Sequence, residues 1–147
     1  MSPQIREVMT EDVISCENTS SLHRVAELML SHSVGSVVIT TDGDPYGIVT
    51  EKDLIHAGYQ SGKSFAEIPT RAVASHPLET IAPNRSVQLA VKRMQEDRIK
   101  KLVVVDGLEV CGIITHQDLL NHYGKLNREL QQTLQERKQR PESSRWR

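Results

Sequence analysis

Apolar residues recur along this chain with two alternating spacings. Leu22, Val25, Ala26 and Met29 follow the i, i+3, i+4, i+7 pattern of an amphipathic helix. Thr19-Ser20-Ser21 offers N-cap hydroxyls just before that stripe, and Ser33 to Gly35 breaks it. Val13-Ile14-Ser15-Cys16 precedes the helix as a short strand candidate. After the helix, Val37-Val38-Ile39 is short and β-branched, which suits a buried strand. Asp42-Gly43-Asp44-Pro45 is turn chemistry. Gly47 to Val49 reads as the next strand, and a helix starts at Thr50, ended by Gly58 and Gly62. In the lead-in, residues 1–10, Ile5, Val8 and Met9 fit one apolar helical turn.

The same order returns 65 residues later without a gap. Leu78-Glu79-Thr80-Ile81 takes the place of the first strand and Ser86 that of the cap. Val87, Ala90, Val91 and Met94 form the helical stripe, and Leu102 to Val105 the second strand. Asp106-Gly107 is a hairpin signal, Gly112 to Ile114 the third strand, and Thr115 opens the last helix. Phe65, Ala66, Ile68 and Pro69 make residues 63–74 a packed link rather than a tether. The chain therefore predicts two strand–helix–strand–strand–helix units. A unit this small leaves one apolar face exposed, so the two should pack together and share a core.

Composition narrows this picture. Hydrophobic residues make up 37% of the 147 and aromatics only 3%, so the core is aliphatic. No apolar run approaches the ~20 residues of a membrane span, and the N-terminus has no apolar signal region. The expected location is the cytoplasm, with no membrane partner. Cys16 and Cys111 are expected as buried free thiols. No Cys/His set has zinc spacing, no nucleophile–base arrangement stands out, and no P-loop is present. His23, His32, His56, His76 and His122 are expected at the surface. The formal net charge is −1, but residues 125–147 hold seven Lys/Arg against three Asp/Glu. The body is therefore mildly acidic and the tail basic.

The candidate chemistry lies in the longest match between the copies. Gly47-Ile48-Val49-Thr50-Glu51-Lys52-Asp53 comes back as Gly112-Ile113-Ile114-Thr115-His116-Gln117-Asp118. Threonine followed three residues later by an acid is the capping-box pattern, so each pair can simply finish a helix. A helix N-terminus also presents unpaired N–H groups and a positive dipole end. An ionised aspartate there can accept two hydrogen bonds from a ribose diol, and Gly47 or Gly112 admits a close backbone approach. The two roles can coexist.

With both G-h-h-T-x-x-D motifs (h, apolar) and this element order, the chain resembles the CBS domain family, named after cystathionine β-synthase. The likeness is to the usual tandem pair, or Bateman module, over roughly residues 5–124. The resemblance implies an α/β (α+β) fold: two pseudo-symmetric β-α-β-β-α units packed through their sheets. The units would be residues 5–62 and 63–124, followed by a C-terminal helix and basic, disordered tail at 125–147. It implies an adenosine-containing ligand (AMP, ADP, ATP or S-adenosylmethionine) in clefts between the units. It also implies that no cofactor is required, that the module has no chemistry of its own and regulates an unidentified partner protein, and that it forms a homodimer. Adenine would lie near Thr10, Val13 and Ile14 with Ser36 and Val37. Its second-unit counterparts are Ser75, Leu78 and Glu79 with Lys101 and Leu102. Basic residues before the second strand would meet phosphate; here they are Lys100 and Lys101, against Gly35 and Ser36 in the first unit. Lys52 and His116, inside the motifs, are further phosphate candidates. A phosphorylated ligand is thus expected to prefer the cleft carrying Asp118.

The tail has no counterpart in the first unit. Leu119, Tyr123, Leu126 and Leu130 are spaced 4, 3, 4 towards Leu134, close to a heptad pattern that Gly124 interrupts. Such a helix either pairs with another or packs back on its own body. The alternative function is a nucleic-acid-associated protein using the basic residues from Arg137 to Arg147. One such cluster, with the single Trp146, is a small feature beside an acidic body.

Overall fold

The β-branched runs and helical stripes fold into two copies of one unit. A computed structural model describes residues 3–138. The first unit comprises β1 (Ser15–Glu17), α1 (Leu22–His32), β2 (Ser36–Thr41), β3 (Asp44–Thr50) and α2 (Glu51–Ser61). The second comprises β4 (Thr80–Ile81), α3 (Val87–Asp97), β5 (Lys101–Asp106), β6 (Glu109–Thr115) and α4 (His116–Lys138). Each unit carries a three-stranded sheet whose first pair is parallel and second pair antiparallel. The parallel pair needs the crossover that α1 or α3 supplies; the antiparallel pair closes through a tight hairpin. In the first hairpin both Asp42 and Gly43 are left-handed, whereas in the second only Gly107 is. Pro45 lies within β3 rather than in the turn. An edge strand beside a bulge, here between Ile39 and Thr40, tolerates a missing N–H.

Side-chain alternation sorts the strands. Val37, Ile39 and Val49 pack on Leu22, Val25, Leu28 and Met29 of α1. Leu102, Val104 and Ile114 pack on Val87, Ala90 and Met94 of α3. Two cores result instead of the single shared one expected. Val38 and Val103 are equally buried but belong to neither core, because period two turns them to the opposite sheet face, towards the other unit. Leu28 replaces Ala26 as a buried member of the α1 stripe.

The lead-in segments cross over. Ile5, fully buried, belongs to the second core, whereas Ile68 and Ala74 from the link complete the first. The backbone follows the same exchange. Thr10 and Ile113 trade two N–H···O bonds of 2.9 Å, and Ser75 and Ile48 trade two of 2.9 and 3.1 Å. Gly47 and Gly112 stand where these crossing segments pass. A Cβ on Gly47 would sit 2.6 Å from the Ser75 carbonyl oxygen, and one on Gly112 2.6 Å from Met9 Sδ. The close backbone approach these glycines permit is thus that of the chain itself.

Several local expectations change. Gly58 lies inside α2, where the Phe65 ring packs over it; Gly62, with φ of 68°, ends the helix. Ser86 accepts from the Leu89 amide at 3.2 Å, but the Ser21 side chain makes no such bond. Both cysteines are free yet only half-buried, and burial pushes both thiols above their ordinary pKa. His122 is half-buried beside Tyr123 rather than at the surface. α4 continues through Gly124, and residues 125–135 are all exposed, so this part does not pack back on the body. Residues 139–147, which hold Trp146 and most of the basic tail, lie outside the described residues.

Candidate functional site

Two clefts open where the sheet faces bearing Val38 and Val103 approach each other. The first, of about 570 Å³, joins Thr10, Val13, Ile14 and Ser36 to Thr115 and His116. The second, of about 490 Å³, joins Ser75, Leu78, Glu79 and Lys101 to Thr50 and Lys52. Each cleft thus takes the stretch before the first strand from one unit and its motif from the other. The walls repeat with the chain: Thr10 answers to Ser75, Val13 to Leu78, Val38 to Val103 and Thr115 to Thr50.

Both motifs close full capping boxes. The Thr50 hydroxyl accepts from the Asp53 amide at 3.3 Å, while Asp53 Oδ2 accepts from the Thr50 amide at 2.8 Å. The corresponding distances for Thr115 and Asp118 are 3.0 and 2.9 Å. The remaining oxygens differ. Asp118 Oδ1 accepts from the Thr10 hydroxyl at 3.2 Å, whereas Asp53 Oδ1 has no hydrogen bond among the described residues. In this structure Thr50 and Thr115, not the aspartates, form the cleft walls.

Two expected adenine neighbours are elsewhere. Val37 and Leu102 are fully buried and face the cores, so neither side chain reaches a cleft. Glu79 does line the second cleft and is paired with Arg93 at 3.1 Å.

The charged residues do not divide as expected. Lys100 and Lys101 line both clefts, as do Gly35 and Glu51. The reason is the pseudo-symmetry: the Gly35-Ser36 and Lys100-Lys101 turns are repeat partners and lie side by side between the clefts. The first cleft adds Asp12 and His116, and the second adds Lys52 and Arg98. The lysine pair therefore does not single out the cleft carrying Asp118. Asp12 and Arg98 had no role in the sequence reading. Arg98 stands two residues before Lys100 in a left-handed helix cap, and that proximity was its only signal.

Two β-α-β-β-α units related by a pseudo-twofold axis, with a cleft on either side, define a tandem-repeat module. The chain belongs to the CBS domain family, whose model matches residues 5–59 and 67–125. An uncharacterized protein of Methanopyrus kandleri is 37% identical over 121 residues, covering 81% of this chain and 62% of that protein. The chain spans only 33% of a second uncharacterized relative, from Methanocaldococcus jannaschii. A CBS domain protein from Pyrobaculum aerophilum, solved in complex with AMP, superposes with a TM-score of 0.72 at 25% identity, over 80% of this chain and 90% of that one. A CBS domain pair complexed with 5′-methylthioadenosine and S-adenosyl-L-methionine gives a TM-score of 0.76 at 20% identity, covering 85% and 98%. Among the described residues, no helix is long and apolar enough to cross a membrane. No group of three or more His, Cys, Asp or Glu among them could hold a metal ion.

Proposed function

We propose that this protein is a regulatory sensor that binds an adenosine-containing ligand (AMP, ADP, ATP or S-adenosylmethionine) between its units and signals the bound state to a partner protein. The observation that carries this is the construction of the clefts. Each combines an apolar first-strand wall, a helix N-terminus with an acid three residues on, and the cations Lys100 and Lys101. A base suits the apolar wall, a ribose diol the aspartate, and a phosphate the lysines and helix amides. The AMP bound to the Pyrobaculum aerophilum protein supports the same ligand class. The action proposed is binding, without chemistry. Two unpaired thiols suit a reducing compartment such as the cytoplasm. The exposed α4 arm is the proposed contact of a homodimer.

A thermal-shift panel with AMP, ADP, ATP and S-adenosylmethionine tests the reading. A ligand at 100 times its Kd stabilises by about 2.7 kcal/mol, which for a chain of this size is a shift of several degrees. At least one of the four is expected to do so, and no shift with any of them at millimolar concentration contradicts the proposal.

A further inference from the structure

Resting on that reading, we infer that the two clefts are a coupled, unequal pair. A phosphorylated nucleoside fills the Lys52–Arg98 cleft first, draws the shared Lys100 and Lys101 to its phosphate, and leaves the other cleft to a nucleoside without phosphate.

Two observations carry this. The first is sharing: Lys100 and Lys101 line both clefts, so one pair of cations serves two sites. The second is the balance of charge in each. The cleft at Thr50 sets Lys52, Arg98 and the shared lysines against Glu51 and Glu79, and Glu79 is already matched by Arg93. The cleft at Thr115 has no Lys or Arg of its own beyond the shared pair, and sets that pair against Asp12 and Glu51.

The consequence follows from charge. A phosphate near Lys52 and Arg98 meets a net positive wall, and the shared lysines turn towards it. The cleft at Thr115 is then left with Asp12 and Glu51, which repel a second phosphate. Base and ribose contacts there are unaffected, so an uncharged nucleoside still fits. Because such coupling is reciprocal, a phosphorylated ligand forced into the cleft at Thr115 would weaken the cleft at Thr50 equally.

Calorimetry on the full chain tests this with two probes, adenosine and AMP. Adenosine should fill two sites per chain with similar affinity. AMP should fill one site tightly and a second at least about tenfold more weakly, one charge-assisted contact being worth that much. Adenosine should still bind one site on the AMP-saturated chain. A Lys52→Ala, Arg98→Ala double variant should lose about tenfold or more at the tight AMP site while keeping its affinity for adenosine. Two equal AMP sites, or a tight site unmoved by the double variant, would overturn the inference and leave the nucleotide reading standing. No heat from either probe would overturn the nucleotide reading, and the inference with it.

Discussion

Thr50 and Asp53 hold each other in place, as do Thr115 and Asp118, and the proposed function gives the same carboxylates a ribose to hold as well. Substitution separates the two roles. Asp53→Ala and Asp118→Ala each remove a cap partner and should cost about 1 kcal/mol of stability in chemical denaturation. A charge-assisted hydrogen bond contributes ~1.5–3 kcal/mol, so each should also weaken nucleotide binding at its own cleft by roughly 10- to 100-fold. Full affinity at both clefts in either variant would leave its aspartate a helix cap alone. The glycines make a sharper contrast. Gly47 faces a backbone oxygen, but the nearest atom to Gly112 is the end of the flexible Met9 side chain. Overpacking costs roughly 1–3 kcal/mol, and Gly47→Ala should lie near the top of that range with Gly112→Ala below it. Denaturant midpoints showing the reverse order would contradict the crossing described here.

At the scale of elements, the repeat at 65 residues placed every strand and helix in order. Their ends moved by a few residues, as with β1 and Pro45. The exchange of lead-ins was not legible. Periodicity tells which face of Ile5 or Ile68 is buried, but a segment looks the same whether it packs on its own unit or on its twin. The placement of Lys100 and Lys101 was hidden for a related reason: sequence assigns them to the second unit, whereas the pseudo-twofold axis sets them between two clefts. Arg98 and Asp12 carry no motif at all and are brought to the clefts by the turns around them. The exchange makes a direct prediction. Ile5→Ala opens a cavity in the second core and should cost about 2–5 kcal/mol. Hydrogen exchange should then show β4, β5 and β6 losing protection before β1, β2 and β3. Earlier loss in the first sheet would place Ile5 in the wrong core.

For the whole molecule, α4 and the clefts set the two remaining questions. A helix whose residues 125–135 are all exposed gains little from its own body, and isolated helices of that length are marginal in water. Tyr123, Leu126, Leu130 and Leu134 line up on it at helical spacing and remain exposed. The expected state is a homodimer, seen by light scattering at micromolar concentration, that dissociates on Leu126→Lys, Leu130→Lys double substitution. A monomeric wild type would contradict this, and a dimer surviving truncation after Gly124 would assign the contact to the sheet-bearing bodies. The central claim, that a nucleotide sits between the units, is tested most directly by following backbone amide resonances during an AMP titration. The account predicts saturable shifts at Thr50, Lys52, Ser75 and Lys100, residues from three separate stretches of the chain that meet only at the second cleft. Unmoved resonances at millimolar AMP, or shifts confined to α4, would contradict it.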